Sequence, residues 1–182
     1  MKFRNEYAFL SNMYPAEIRC NGMKFKCVES AFQAFKTSNV EIQKSFQDLT
    51  GPEAKRLGRR IKLRPGWERQ KIKVMAALVQ IKFHQHPDLL KKLLEINEEI
   101  VEDNTWKDTF WGRYNGYGEN HLGKILMNIQ NCTEYHIVTS DKEEAAVRAR
   151  LIKKGYTPEY ITTLNYKDRN KREFRELIVF RQ

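Results

Sequence analysis

The sequence has few of the features that mark secreted or membrane-embedded proteins. Its 182 residues include three cysteines, Cys20, Cys27 and Cys132, with no Cys-x-x-Cys spacing. An odd number of scattered cysteines is typical of reduced thiols rather than of a disulfide framework. The sequence contains no apolar run long enough to span a bilayer, and its first residues lack the apolar stretch of a signal peptide. We therefore expect a cytoplasmic protein without a membrane segment.

Several kinds of catalytic site are also disfavoured by what is missing. The sequence has four histidines; His84 and His86 flank Gln85, but no third metal ligand follows at a recognisable spacing. It has no Gly-x-Ser-x-Gly nucleophile motif, and its glycines match neither a P-loop nor a dinucleotide-binding fingerprint. The sequence therefore predicts a site without a metal ion and without a cofactor.

Positive charge is in excess and leaves two interpretations open. Lys and Arg number 33 against 23 Asp and Glu, which gives a net charge of +10. The excess is spread along the chain, apart from local clusters such as the run from Lys55 to Lys62. One interpretation is an ordinary basic surface, and the other is a polyanionic partner or a phosphorylated substrate. Charge alone does not decide between them.

The hydrophobic pattern predicts an α+β fold that is mostly helical, with a few short strands. Residues 3–27 are expected to form short strands and turns, with a strand at Tyr7–Leu10 and a type I′ hairpin at Asn21-Gly22. The predicted helices cover about 27–37, 50–58, 67–83, 87–95 and 120–129, the last of them capped by Asn120, and a strand is expected at 99–102. Within 67–83 the apolar face is expected to contain Ile72, Met75, Ala76, Val79 and Phe83.

The pattern changes after residue 130. A strand at 135–139, an amphipathic helix at 141–154 that ends before Gly155, and strands at 160–166 and 174–180 are expected there. We therefore predict a compact domain over residues 1–130 and a small α+β extension over residues 131–182.

One short stretch combines charged, polar and aromatic side chains at helical spacing. Glu29, Phe32, Gln33 and Lys36 follow the i, i+3, i+4, i+7 pattern and would share one face of a helix. Only about one free lysine in 2,500 is neutral at pH 7, so a nucleophilic Lys36 would need desolvation, which aromatic neighbours could supply. Glu29 could exchange protons with it. From the pattern alone, an exposed lysine beside an intrahelical carboxylate is the commoner outcome.

A second stretch, residues 102–123, is rich in glycine, asparagine and tryptophan. Asp108 precedes Trp111 by three residues, so a carboxylate could orient a ribose hydroxyl while an indole stacks on a base. The alternative is a core tryptophan preceded by an aspartate that caps a turn. The residue types alone leave both open.

The ordered succession of these segments resembles the NADAR family, the YbiA-like N-glycosidases, over residues 3–130. The segments that carry the resemblance are Phe9-Leu10-Ser11-Asn12-Met13-Tyr14-Pro15, Glu29 with Gln33-Ala34 and Lys36, Leu57-Gly58-Arg59, Trp67, Val74-Met75, Lys82-Phe83, Glu102, Asp108, Trp111-Gly112, and Gly118 to Met127. Residues 131–182 match no segment of the family.

The resemblance implies an enzyme that hydrolyses an N-glycosidic bond of a ribose. Lys36 matches the family lysine that is thought to form an imine-type intermediate, Glu29 matches the acidic residue of the same helix, and Asp108 matches the aspartate of an Asp-x-x-Trp-Gly motif. We therefore expect these three to be catalytic. The resemblance also implies substrate-binding roles for Phe9, Asn12, Tyr14, Gln33, Arg59, Trp111, Gly112 and Asn120.

Three functions remain open at this stage. The substrate is either a phosphorylated ribosylamino-pyrimidine of riboflavin synthesis or ADP-ribosylated guanine in nucleic acid, which the basic charge modestly favours. In both cases the partner is a molecule that contains ribose phosphate or ADP-ribose. The third function is a catalytically inert module that binds ADP-ribose or an NAD derivative, which would not need both Glu29 and Lys36. The oligomeric state is not predictable from the sequence.

Overall fold

A computed structural model of the chain describes residues 2–138, 140–155, 158, 161–167 and 173–180. The chain divides into two compact units, Met1–Met127 and Asn128–Gln182. Among the described residues, no helix combines the length and apolarity needed to cross a bilayer.

The first unit begins with a 3-10 helix, Asn5–Leu10, where a strand was predicted. The strand prediction was wrong because Phe9 and Leu10, adjacent in sequence, are both buried, whereas successive side chains of a strand point to opposite faces. The predicted hairpin is confirmed: strands β1 (Ile18–Cys20) and β2 (Met23–Phe25) pair antiparallel. Asn21 and Gly22 have φ angles of 50° and 73°, as a type I′ turn requires.

Six helices follow in the described part of the chain. They are α1 (Val28–Ala34), α2 (Val40–Lys44), α3 (Gly51–Gly58), α4 (Trp67–Gln85), α5 (Pro87–Leu94) and α6 (His121–Gln130). Helices α3 and α5 start close to their predicted positions, each with a proline inside the first turn, and Glu53 of α3 accepts from Thr50 N at 2.8 Å. The short helix α2 was not predicted; its first turn is capped by Asn39, whose side chain accepts from two backbone amides.

Helix α1 is shorter than predicted, and this decides where Lys36 lies. All seven of its residues are buried, and the α-helix ends at Ala34. Lys36 N and Thr37 N then donate to carbonyls three residues earlier, at 3.3 and 3.4 Å, so the chain tightens into a turn. Lys36 therefore lies in that turn, about two helical turns from Glu29, and its carbonyl accepts from Arg64 N at 2.7 Å.

Helix α4 contacts α1, and most of its buried residues lie in its second half. On the predicted apolar face, Met75, Val79 and Phe83 are buried, whereas Ile72 is 36% exposed. Apart from Trp67, burial on this helix begins at Met75, which leaves the turn containing Ile72 in solvent. Lys82 also lies in the buried half, with only 1% of its surface exposed.

The strand predicted at residues 99–102 is absent from this described segment. Ile100 is fully buried, but its carbonyl accepts from the Asn120 side chain at 2.9 Å, and Glu102 N donates to the same side chain at 3.1 Å. The segment is therefore held by an asparagine amide instead of a neighbouring strand. The Asn120 side chain is thus directed at residues 100–102. The backbone carbonyl of Asn120 accepts the hydrogen bond from Lys124 N that starts α6.

After the end of α6, the described residues of the second unit form three strands and one α-helix. Strands β3 (Cys132–Val138), β4 (Ile161–Lys167) and β5 (Glu173–Phe180) form an antiparallel sheet in the order β3-β5-β4. Helix α7 (Asp141–Lys153) is capped by Ser140, and Val138, Leu151 and Leu177 form a small core. These elements agree with the predicted pattern, although Thr139 and Tyr160, two of the expected strand ends, lie outside the described residues. The α+β class is confirmed.

Candidate active site

A cavity of about 410 Å³ in the first unit collects most of the ionisable residues predicted to be functional. Six predicted residues line it: Asn12, Glu29, Gln33, Lys36, Asp108 and Trp111. The remaining lining residues are Phe3, Ser11, Met13, Phe32, Lys55, Met75, Glu102 and Trp106. Helix α1 and the turn after it supply Glu29, Phe32, Gln33 and Lys36, so a single short segment provides much of the wall.

Glu29 is a buried carboxyl group with one well-defined partner. Only 7% of its surface is exposed, and Gln33 Nε2 donates to Glu29 Oε1 at 2.7 Å. Burial raises the pKa of Glu29, while the Gln33 hydrogen bond and the charge of Lys55 act in the opposite direction. Glu29 is thus shifted towards the protonated form, which can donate a proton.

Lys36 is a half-buried amine without a strong partner. Its Nζ lies 5.9 Å from the centre of the Phe32 ring, and within the described part of the chain it has no hydrogen bond or salt bridge. Burial lowers the pKa of Lys36; Glu29 acts against this shift, and the positive charge of Lys55 adds to it. The environment therefore favours the neutral, nucleophilic amine more than water does.

Asp108 and Trp111 have the structural contacts of the second interpretation and also line the cavity. Asp108 Oδ1 accepts from Phe110 N at 2.9 Å and from Trp111 N at 2.8 Å, so the carboxylate caps a turn. Trp111 meets Phe32 edge-on at 5.6 Å and is packed against neighbouring rings. Both residues nevertheless line the cavity, which means that a structural and a functional role are compatible here.

Lys55 and Glu102 line the cavity but were missing from the predicted site residues. Glu102 is largely buried, and burial together with the nearby charge of Asp108 raises its pKa to about 7. Lys55 was interpreted as part of a surface charge run. It reaches the cavity because α3 packs closely on α1: a Cβ atom on Gly58 would lie 1.9 Å from Gln33 Oε1. Sequence offers no signal for that approach beyond the glycine itself.

Five predicted substrate-binding residues lie elsewhere, and their contact with substrate stays a prediction. Phe9 and Asn120 are buried, Tyr14 lies over the Lys82 amine at 5.4 Å, and Arg59 is exposed but close enough to Lys36 to lower its pKa. A Cβ atom on Gly112 would lie 2.3 Å from Glu102 O, so this glycine lets two cavity-wall segments approach.

Two lining residues carry acceptor atoms that are not satisfied by the described protein. Asn12 Oδ1 and Gln33 Oε1 are buried and have no hydrogen-bond partner among the described residues. Buried acceptors of this kind are costly unless something donates to them, and a hydroxyl group is a suitable donor. As for metals, the described residues contain no group of three or more histidine, cysteine and acidic side chains suited to an ion.

A family model matches the part of the chain that contains this cavity. The model of the NADAR domain matches residues 1–132, which is most of the chain. The chain belongs to the NADAR domain family. This confirms the resemblance on which the predicted site residues rest, and the match covers every residue that lines the cavity.

Similar proteins carry related names. The chain is 32% identical over 130 residues to the N-glycosidase YbiA of Escherichia coli, covering 69% of this chain and 81% of that protein, and 34% identical over 131 residues to an N-glycosidase of Nostoc punctiforme, covering 84% of it. It is also 32% identical over 134 residues to a riboflavin biosynthesis protein of Vibrio vulnificus, but spans only 36% of that protein's length. Membership of a family of named N-glycosidases is thereby confirmed.

The fold agrees with this assignment. The NMR structure of Escherichia coli YbiA matches with a TM-score of 0.64 and 28% identity, over 82% of this chain and 86% of the YbiA chain. The helical first unit, with its two-stranded hairpin, is the part that carries the cavity.

Proposed function

We propose that the chain is an N-glycosidase that hydrolyses the bond between C1′ of a ribose and the nitrogen of an amine or base. The observation that carries the proposal is the pairing of Lys36 and Glu29 in one cavity, with the pKa of the amine lowered and that of the carboxyl raised by burial. These opposite shifts favour a neutral nucleophile beside a protonated acid. The names of the relatives support the same reaction class.

The proposed reaction begins with attack on the sugar. The lone pair of Lys36 Nζ forms a bond to C1′, while the C1′–N bond breaks and its electron pair leaves with the aglycone nitrogen. Glu29 gives its proton to that nitrogen. The amine-linked sugar then loses the Nζ proton and opens its ring to the imine, with the ring oxygen taking up a proton. Water adds to the imine carbon, releasing ribose and regenerating the lysine amine.

The remaining charged residues have roles that suit this sequence of steps. Asp108 carries a negative charge that would stabilise the positive charge developing at the sugar. Glu102, with its pKa raised to about 7, is suited to exchange protons with the water that cleaves the imine. Asn12 Oδ1 is an acceptor suited to a ribose hydroxyl.

The positive charge next to the cavity supports a substrate that bears phosphate. Lys55 lines the cavity, and Arg59 lies near enough to influence Lys36. Both belong to the basic run at the end of α3, which therefore adjoins the cavity rather than a distant face. Phosphate occurs in both candidate substrates, ribosylamino-pyrimidine phosphates and ADP-ribosylated guanine in nucleic acid, so the charge alone does not choose between them.

A paired hydrolysis assay tests the function and chooses the substrate. One arm uses an oligonucleotide that carries ADP-ribosyl-guanine, and the other uses a ribosylamino-pyrimidine phosphate, each at moderate salt. Release of ADP-ribose from the oligonucleotide alone would identify a nucleic-acid-modification hydrolase, and turnover of the pyrimidine alone a metabolite hydrolase. Absence of turnover in both arms, with binding of ADP-ribose retained, would contradict the proposal in favour of an inert binding module.

The covalent step has its own test, in which Lys36→Arg is the diagnostic variant. A guanidinium stays protonated and cannot form the imine, so we expect activity to fall at least about a thousandfold although the positive charge is kept. Reduction with borohydride during turnover should attach the sugar to Lys36 in the wild-type protein, detectable by peptide mass spectrometry. Near wild-type rates in Lys36→Arg would eliminate the imine mechanism.

A further inference from the structure

Two chemically different sets are found among the side chains that line the cavity. The charged group consists of Glu29, Lys36, Lys55, Glu102 and Asp108. The apolar edge consists of Phe3, Met13 and Trp106, which also line the cavity. A ribose with its hydroxyls suits the charged group, whereas the apolar edge offers no partner to a sugar hydroxyl. The mechanism above therefore leaves the apolar edge without a role.

Trp106 is the most unusual member of the apolar edge. It is 54% exposed, and Met13 beside the same cavity is 37% exposed. A large aromatic side chain that stays in water forgoes about 1.5–3 kcal/mol of burial free energy. Trp111 and Trp67 behave differently, since each has ring contacts with Phe32, at 5.6 and 5.1 Å. Among the tryptophans of this chain, Trp106 is the one whose ring has most free surface.

The loop that carries Trp106 is held by hydrogen bonds from one buried side chain. Asn104, only 3% exposed, donates to Asp108 O at 2.7 Å and to Arg113 O at 3.0 Å, and it accepts from Asp108 N at 3.0 Å. These bonds close the loop, and Lys107 adopts a left-handed φ of 62° within it. Trp106 is therefore presented at the cavity by a constrained turn that also places Asp108, so the entropic cost of ordering it for a ligand is small.

We propose that Trp106, together with Phe3 and Met13, is the subsite for the flat aromatic ring of the leaving group, which stacks on the indole. The inference rests on the proposed function, because the ribose on the charged group is what directs the attached ring to the apolar edge. Stacking of a base on an aromatic side chain depends little on the identity of the base. The subsite therefore selects aromatic aglycones over aliphatic amines.

Ligand binding tests the subsite separately from catalysis. The protein is used with the Lys36→Arg substitution so that no turnover occurs, and the probes are guanosine 5′-monophosphate and ribose 5-phosphate, measured by calorimetry. We expect Trp106→Ala to weaken binding of the nucleotide by roughly 5–150-fold, as the loss of one stacked base does, and to leave ribose 5-phosphate unchanged. Trp106→Phe should restore most of the affinity for the nucleotide.

Tyr117→Ala provides the matched control. Tyr117 is 79% exposed and lies in the same glycine-rich stretch, but it does not line the cavity, so its removal should change neither affinity. Equal weakening of both probes by Trp106→Ala, or an unchanged nucleotide affinity, would overturn the subsite. Trp106-dependent nucleotide binding in a wild-type protein that hydrolyses no N-glycoside would instead reject the proposed function and keep the ring-binding site.

Discussion

Two lysines of the first unit are shielded from water, Lys82 almost completely and Lys36 in part, and burial lowers the pKa of each, that of Lys82 to about 7. Lys82 donates to the carbonyls of Phe9 and Ser11 and lies 5.4 Å from the Tyr14 ring centre. Lys36 faces a cavity and has only the Phe32 ring, at 5.9 Å, as a described partner of its amine. In the proposed mechanism only Lys36 attacks the substrate, so desolvation alone would not make a lysine reactive.

The two lysines differ in the hydrogen-bond acceptors that surround their amines. The two carbonyls that accept from Lys82 hold its ammonium in place and support its protonated form, against the effect of burial. In return, Lys82 fixes the segment from Phe9 to Ser11, and the next residue, Asn12, lines the cavity. Lys36 lacks such acceptors, so its lone pair is available once the proton is lost. Lys82 positions a segment of the cavity wall, and Lys36 is suited to attack a substrate.

The same substitution in both lysines gives the strongest test of this comparison. Lys36→Met should reduce hydrolysis at least about a thousandfold, because the nucleophile is lost, while thermal unfolding stays close to that of the wild-type protein. The measurements are the hydrolysis assay and circular dichroism during heating. If Lys36→Met unfolded as readily as the equivalent variant of Lys82, the two lysines would not differ in the way described.

Lys82→Met should act on stability. The buried Phe9 carbonyl would lose its Lys82 donor, whereas the partly buried Ser11 carbonyl would keep Tyr14 N as a donor at 3.2 Å. One unsatisfied buried group costs about 1–3 kcal/mol, so the free energy of unfolding should fall by about that amount. Urea denaturation of the wild-type protein and the variant measures this difference. A variant as stable as the wild-type protein, but inactive, would mean that Lys82 serves the chemistry rather than the wall.

The smallest predicted effect comes from removing the positive charge of Lys55, which lies near Lys36. The proposed step needs a neutral Lys36 and a protonated Glu29, so the rate rises with pH as the amine loses its proton and falls as the carboxyl loses its own. Lys55 lowers the pKa of both groups. Lys55→Met should therefore raise both and move the whole profile of kcat/KM to higher pH, with less than about a tenfold change at pH 7.

Lys55→Arg is the control, since it keeps the positive charge and should keep the profile near that of the wild-type protein. A pH profile of Lys55→Met that coincides with the wild-type profile would show that Lys55 is too well solvated to influence the site. A uniform loss of rate without a shift would assign Lys55 to substrate binding instead.

Local sequence patterns were sufficient to predict an element where the contacts that determine it are close in sequence. The Asn21-Gly22 turn, the proline at the start of α3 and the glycine before α4 each depend on a few neighbouring residues, and the structure contains all three elements. Prediction failed at residues 5–10 and 99–102, where burial of adjacent side chains and the amide of Asn120 replaced the expected strand pairing. Those contacts join residues far apart in the chain, so the local pattern does not contain them.

The sequence by itself determined the α+β class, the family and the placing of Glu29 and Lys36 about two helical turns apart, because helical spacing and motif order are properties of the chain. The tertiary structure decided which charges act on that pair. It brought Lys55, Glu102 and Asp108 into one cavity, and left Trp106 exposed beside them. The reason is physical: burial and distance set a pKa, and both arise only when helices such as α1 and α3 pack together.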